Sequence, residues 1–361
     1  GNTTDLRILS ALIIYFKERG YNNILIGEGT NSGFYRCKIG VISRLKIDAL
    51  AKHHGVRVMD FNYARPYEIE FENGVKAAVA KETVEAELFI NLPKLKTHFE
   101  NGMTACLKNL MGCLIGQENK KKTHDNLAAN IININKQVRP HLHIIDSIIG
   151  MEGLGPTKGL PIRLNTLLVG TDPFLLDLAG AELAAFDYRQ VRTLALAEKL
   201  GIINESHHSF IEAQGIGKIQ KKFLPPDGGP LASFIHSPKR QKFFLKIRHT
   251  KFFTYLASTK WFGHLLFLTN LRQDVFIEDE LHTEDLLLAQ DKCDNCGKCA
   301  GYCPMGLPLP EAFQEAEQMN ECIGCLYCFC VCPHRAIEHR GKLGFMAEQL
   351  VQYDEIIRKI S

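Results

Sequence analysis

Eight cysteines near the end of the chain carry its most specific chemistry. Cys293, Cys296, Cys299 and Cys303 are followed by Pro304, and Cys322, Cys325, Cys328 and Cys332 by Pro333. Each run reads C-x2-C-x2-C-x3-C-P, and 18 residues lie between Cys303 and Cys322. A cubane iron–sulfur cluster needs four thiolates at tetrahedral corners. Two-residue gaps let one tight loop deliver three of them while its amides turn toward the sulfides. The fourth cysteine, after a longer gap, points away from its own loop, and Pro304 and Pro333 fix φ where the chain leaves each site. Zinc would use only four of these cysteines per site and gives no reason for the third cysteine or the x3-C-P ending. Disulfides need an oxidising compartment, and the opening residues do not read as a signal peptide. A cluster kept as a structural staple is the remaining rival.

The doubled pattern resembles the bacterial-type two-cluster ferredoxins, in which the fourth cysteine of each run ligates the other cluster. That resemblance implies one 4Fe–4S cluster on Cys293, Cys296, Cys299 and Cys332, and a second on Cys322, Cys325, Cys328 and Cys303. Cys330 breaks the pattern and is expected to be a buried non-ligand. With Cys37, Cys106 and Cys113 the chain holds 12 cysteines. So many thiols are expected in a reducing, cytoplasmic and oxygen-poor (anaerobic) setting.

A second constellation lies upstream. Asn91-Leu-Pro-Lys94-Leu-Lys96-Thr-His98 leaves a predicted strand, and the following helix carries Lys108-Asn109. In extended chain Lys94, Lys96 and His98 share one side. Ligands of open α/β sheets sit beyond the carboxyl ends of strands, near helix N-termini. Three such groups there suit a carboxylate, a phosphate or a developing enolate; a solvated basic loop is the plainer alternative. Gly27-Glu-Gly29-Thr-Asn-Ser-Gly33 follows a predicted strand but misses the G-x-G-x-x-G spacing by one residue. A flavin or other organic cofactor is therefore a secondary expectation. Residues 150–159 hold four glycines and Pro156, a loop that lets a ligand or backbone come close. His53-His54 and His207-His208 lack ligand partners at useful spacing and read as helix-end and loop residues.

These groups need elements to hold them. Leu6, Leu9, Ile13 and Phe16 recur at helical spacing, with Thr4 as cap and Gly20 as stop. Residues 24–26 and 56–59 read as strands around a helix over 42–54 that Gly55 closes. Asn73-Gly74 reads as a hairpin turn between 68–71 and 75–80. Strands at 88–92, 142–145 and 164–169 alternate with helices near 103–114, 125–138 and 173–186. The alternation predicts an α/β domain with a mostly parallel sheet flanked by helices. Such a domain ordinarily opens on a strand, so a strand missing ahead of the first helix is expected.

The 361 residues suffice for one large and one small domain, and 45 % hydrophobic with 23 % charged residues is ordinary for a globular protein. The predicted division is an α/β domain over 1–235, a basic, aromatic-rich helical connector over 236–290, a small α+β ferredoxin-like domain over 291–340, and a C-terminal helix over 341–361. The formal charge of +3 is uneven. Residues 291–340 carry seven acids against four bases, the last 21 residues balance, and residues 1–290 hold about +6. An acidic cluster module on a mildly basic body suits docking to a redox partner protein and is too weak to indicate nucleic acid. No apolar run approaches the roughly 20 residues needed to span a bilayer. In the connector, Lys239, Arg240, Lys242, Lys246, Arg248 and Lys251 interleave with aromatics. They suit either an amphipathic helix on an anionic membrane surface or helices packed against both domains; the second is preferred.

The stretch from Pro93-Lys94-Leu-Lys96-Thr-His98 through Lys108-Asn109-Leu-Met-Gly112 resembles the core motif of the family named domain of unknown function 362. Further matches are Asp146 to Gly159, Gly170-Thr-Asp172-Pro173 with Asp177, and His124. The resemblance covers roughly residues 3–200. Members usually carry a strand with a Lys-Pro-Asn-like stretch before the first helix, which is absent here, and many append the same paired-cluster module. The resemblance implies a redox-active iron–sulfur protein with Lys94, Lys96, His98, Lys108 and Asn109 in a substrate site, Lys96 and His98 being candidate catalytic groups. Asp172 and Asp177 are weaker members: the first also suits a turn before Pro173, the second a structural acid. The expected function is that of an iron–sulfur oxidoreductase, a reductase in which two 4Fe–4S clusters pass electrons to a small anionic substrate or cofactor on the α/β domain. The rivals are an electron-transfer carrier that docks to a partner enzyme, and a cluster-bearing sensor or assembly factor.

Overall fold

The computed structural model describes residues 3–30, 40–156, 159–226, 247, 250–268 and 281–344. The chain opens on α1 (Leu6–Lys17), β1 (Leu25–Glu28), α2 (Ile47–His54) and β2 (Arg57–Asp60). Next come β3 (Pro66–Glu70), β4 (Lys76–Ala80), β5 (Ile90–Asn91), β6 (Lys94–His98) and β7 (Gly102–Thr104), then α3 (Cys106–Asn109), α4 (Gly116–Thr123) and α5 (Leu127–Gln137). The long strands β8 (Leu142–Glu152) and β9 (Leu160–Gly170) lead to α6 (Pro173–Leu183), α7 (Arg192–Lys199) and α8 (Glu205–Gln214). The last described elements are α9 (Lys251–Ser258), α10 (Lys260–Leu268), β10 (His282–Leu288), α11 (Lys298–Tyr302), α12 (Tyr327–Val331) and β11 (Ile337–Lys342).

By its packing the chain divides into two compact units. One comprises Gly1–Thr4, Glu28–Arg36 and Asp60–Val275, the other Asp5–Gly27, Cys37–Met59 and Phe276–Ser361. Contiguous segments alone do not describe this division, because most of the first sixty residues group with the cysteine runs.

The larger unit is α/β, with helices around a mixed sheet. Its central strand β8 pairs in parallel with β5 and β6 on one side and antiparallel with β9 on the other, while β7 folds back antiparallel on β6. Pro93 interrupts what would be one strand, having no N–H to give the ladder. Its carbonyl still accepts from Asp146 N at 2.8 Å. Past this break the register jumps, Lys94 facing Asp146 and Lys96 facing Met151. The core beneath joins Leu95, Met103, Ile131, Ile145, Leu183 and Leu194.

Several expectations change. β1 and β2 pair with each other in a separate two-stranded sheet rather than joining β8. The helix expected over 42–54 breaks at Lys46, whose φ is 59°, and Gly55 closes it at 62°. The helix expected over 103–114 gives up its first residues to β7 and ends in a 3-10 turn at Leu110–Cys113. At the start of α1 it is Asp5 that caps, accepting from Arg7 N at 2.9 Å, while Thr4 Oγ1 donates to Leu92 O. The expected C-terminal helix lies outside the described residues from 345 on, and residues 341–342 belong to β11. Of the 236–290 connector, residues 236–246, 248–249 and 269–280 lie outside the description, and α9 and α10 are its described helices.

The smaller unit is α+β. β10 and β11 form an antiparallel pair beside α11 and α12. Helices α1 and α2 complete its interior: Leu6, Ile47 and Leu50 pack with Met305, Ile323 and Tyr327. Leu6 N donates to the Tyr327 hydroxyl at 3.2 Å, Arg7 Nη1 donates to Gly301 O at 3.1 Å, and the Arg7 guanidinium lies 4.2 Å from the Tyr302 ring centre.

Candidate functional site

The two cysteine runs fold alike. In each, the residues flanking the second cysteine take left-handed backbone: Asn295 and Gly297 at φ 55° and 69°, Gly324 and Leu326 at 63° and 61°. This reversal turns the chain around so that a short helix, α11 or α12, starts just before the third cysteine. Glycine takes such a φ freely, whereas a leucine there costs about 1–2 kcal/mol. Leu326 holds it with its side chain buried among Leu286, Leu309 and Phe329.

The loops enclose two cavities. Cys293, Cys296, Cys299 and Cys332 line one of about 350 Å³ with Leu288, Pro310 and Ile337. Cys303, Cys322, Cys325 and Cys328 line the other, of about 360 Å³, with Leu286, Met305 and Leu307. Both volumes include open solvent. Cys332 thus sits with the first run and Cys303 with the second. Amides are turned on sulfur, Gly324 N lying 3.4 Å from Cys322 Sγ and Ala336 N 3.2 Å from Cys332 Sγ. The donor set fits a 4Fe–4S cluster in each cavity: four thiols, apolar walls and hydrogen-bond donors to sulfur. Cys330 lines neither cavity and is half-buried rather than buried. Cys37 falls outside the described residues.

In the larger unit, β6 holds Lys94, Lys96 and His98 between β7 and β8, and α3 carries Lys108 and Asn109. Lys94 is buried in an ion pair with Asp146, itself without solvent exposure. Its charge is met from within, so Lys94 fixes the strand rather than standing as an open cation. Burial pushes Lys96 down to about 8, helped by the positive charges of Lys108 and Lys94 against the opposing Glu28. Burial likewise brings Lys108 to about 8, with Glu100 opposing. His98 is 5 % exposed. Burial, together with Lys108, His124, Lys96 and Arg192, drives it well below its ordinary value. It is therefore neutral. Its Nδ1 accepts from Glu100 N at 3.1 Å and Asn101 N at 3.3 Å, which assigns the proton to Nε2. His98 is a hydrogen-bond donor here and not a cation. Asn109 Nδ2 donates to Asn91 Oδ1 at 2.8 Å, and Asn91 Nδ2 reaches Cys106 O and His143 Nδ1, both at 3.0 Å.

Asp172 and Asp177 have partners of their own. Asp172 caps α6, accepting from Phe174 N and Leu175 N at 2.8 and 3.2 Å. Asp177 accepts from Cys106 N at 2.6 Å and Leu107 N at 3.3 Å, the start of α3. Burial raises it to about 7 despite those donors. It positions the helix of Lys108 and Asn109 from behind.

Residues that spacing did not reveal complete the basic cluster. Glu28, at the end of β1, faces Lys96 and Lys120, and burial raises its carboxyl. Lys120 donates to Thr30 O at 2.9 Å and Asn62 Oδ1 at 3.0 Å. Glu100 pairs with His124 at 3.0 Å; although burial works against it, His124, Lys108 and Arg192 hold it at about 2. Glu100 follows His98 by two residues and was within reach of sequence reasoning; Glu28 and Lys120 arrive from distant segments. Gly29 explains their approach, since a Cβ there would stand 1.8 Å from Gly112 O. The remainder of the expected phosphate cradle, from Asn31 to Gly33, lies outside the described residues. The glycine loop after β8 meets backbone: Phe99 N donates to Gly155 O at 3.2 Å, and Thr97 Oγ1 to Gly153 O at 2.7 Å.

Residues 1–182 match the family model described as "Domain of unknown function (DUF362)", and residues 286–333 match that of a 4Fe-4S dicluster domain. A thylakoid-associated protein of Synechocystis sp., sll1697, is 30 % identical over 153 residues, 41 % of this chain and 47 % of that protein. Pyruvate synthase subunit PorD of Thermotoga maritima is 34 % identical over 64 residues, 18 % of this chain and 65 % of that subunit. The chain thus spans about half of the first relative and just under two thirds of the second. No solved structure matches the chain.

Proposed function

Since the chain belongs to the DUF362 family and carries a 4Fe-4S dicluster domain, we propose that it is an iron–sulfur oxidoreductase whose electrons reach a small anion held over the α/β unit. The observation that carries the reading is the pairing of two cysteine cavities with a half-buried basic cluster whose lysines are unusually acidic. The clusters, one per cavity, supply single electrons when bound. The chain's own residues do the rest. Lys96 and Lys108 attract the anionic part of the substrate, and the His98 Nε2–H donates a hydrogen bond to it. With values of about 8, the two lysines can also surrender a proton near neutrality as negative charge builds on the substrate. Lys94 and Asn109 hold this set in place through Asp146 and Asn91. Work in the cytoplasm, where thiols stay reduced, belongs to the same reading.

The match to a pyruvate synthase subunit favours a second reading, in which the electrons go to a partner protein and the α/β unit is the docking platform. One experiment separates the two. The protein, purified anaerobically, should hold about eight iron and eight sulfide per chain. Its reduced form should be reoxidised by one class of small carboxylates or phosphates, or by a co-purified flavin, as followed by visible absorption. Lys96→Ala and Lys108→Ala should abolish that reoxidation while leaving iron content unchanged. Four iron per chain would sink the two-cluster assignment, and full activity in both variants would sink the site.

A further inference from the structure

The two cysteine cavities differ in the charge that lines them. Asp294, Lys298 and His334 line the first, with Asp294 paired to His334 at 2.8 Å. The second is lined by apolar side chains, Tyr327 and its cysteines, with no charged group among the described residues. A 4Fe–4S cluster gains negative charge when reduced. Apolar walls oppose that charge unless a positive one lies near.

Such a charge is brought from far along the chain. Helix α2 packs on the second cysteine run, Ile47 and Leu50 joining Ile323, Cys325 and Tyr327. Two basic side chains seven positions apart lie on the same side of this helix. His53 Nδ1 meets Glu321, the acid beside Cys322, at 2.9 Å. At the other end, Lys46 Cε lies 4.0 Å from where a Cβ on Gly324 would stand. Gly324 is the residue whose N–H is turned on Cys322 Sγ at 3.4 Å. Burial raises the Cys322 thiol, and the Gly324 N–H and the charge of Lys46 oppose that rise.

Lysine is an unexpected residue for this position. It joins the helical turn Val41–Arg44 to α2 with φ 59°, a left-handed backbone that glycine takes freely and lysine only at a cost. The Lys46 side chain caps nothing, and Ser, Thr, Asp or Asn would serve the start of α2 better. A cation is also disfavoured at the positive end of a helix. What the lysine gains is its place beside Gly324. Local preferences given up in this way accompany functional positions.

We propose that Lys46 sets the reduction potential of the cluster held by Cys322, Cys325, Cys328 and Cys303, raising it by stabilising the reduced form. The proposal rests on the reading of one cluster per cavity. The full chain, purified anaerobically, is titrated with dithionite and mediator dyes at controlled potential. Both clusters are followed by electron paramagnetic resonance, and iron is counted in the same sample. Lys46→Gln should lower one midpoint and leave the other in place. Loss of one charge at an effective dielectric of about 20 should change the ratio of reduced to oxidised cluster about tenfold. For a one-electron couple that is about 59 mV. Lys46→Arg should keep the original value. Asp294→Asn, at the first cavity, should raise the other midpoint, which assigns the two. Lys46→Gly, which suits the left-handed backbone, should lower the same midpoint as the glutamine variant without lowering the melting temperature. A purely structural lysine would not give that combination, and this variant answers the question should Lys46→Gln lose its cluster. About eight iron per chain with both midpoints unmoved overturns the proposal and leaves the two-cluster reading standing. Equal shifts of both midpoints overturn it as well, as does a shift of the midpoint that Asp294→Asn moves. About four iron per chain overturns the proposal and the two-cluster reading together.

Discussion

Burial pulls both Lys96 and Lys108 toward neutrality, and the charge of Lys108 depresses Lys96 further. An anion bound between them needs them charged, so its affinity should fall as pH rises through about 8, by roughly tenfold per unit for each lysine that must be protonated; calorimetric titration at several pH values reads this directly. Stability moves the other way. Each lysine is less basic folded than at its ordinary 10.5, so between about 8 and 10.5 the unfolded chain holds protons the folded one has released. Ligand-free protein should therefore become more stable across that window, and Lys108→Met should flatten the rise in denaturation midpoints. Lys94 behaves differently because Asp146 matches its charge in a fully buried pair. Asp146→Ala should destabilise the larger unit by about 3–5 kcal/mol, measured by denaturant unfolding, because it strands a buried ammonium. At this scale the lysines and His98 were legible, because strand alternation aims them together. The neutrality of His98 and the closure of Lys94 were not, since both depend on burial and on partners supplied by other elements.

Short elements do the positioning. The α3 helix has four residues and cannot sustain itself, so the Asp177 carboxylate on Cys106 N and Leu107 N anchors it. Asp177→Ala should cost about 1–3 kcal/mol and weaken anion binding although the side chain belongs to another helix. The turn after β1 is docked just as tightly. Gly29→Ala would drive a methyl into the Gly112 carbonyl, costing about 1–3 kcal/mol or more and separating Glu28 from Lys96. Thermal melts together with anion titrations would show both losses at once. The cysteine loops were readable to the residue, since ligand spacing constrains backbone directly. The pairing of β1 with β2 outside the main sheet was not, because a run of apolar residues says strand and leaves the partner unspecified.

Across the whole molecule, the α/β character and the cysteine module follow from alternation and spacing, while the grouping of the chain into units does not. Helices α1 and α2 look in sequence like the opening of the α/β domain, yet their apolar faces close on Met305, Ile323 and Tyr327. No local pattern announces a partner so far along the chain. Its consequence is temporal. Leu6 and the Tyr327 that hydrogen-bonds it are separated by 321 positions. At ribosomal speeds of about 5–20 residues per second, the opening helix waits roughly 16–64 s for its cover to be made. Throughout that interval Leu6, Ile47 and Leu50 form an apolar patch without the cover that Met305, Ile323 and Tyr327 supply. A message truncated just ahead of the cysteine runs would leave it bare for good, and such a product should aggregate during translation.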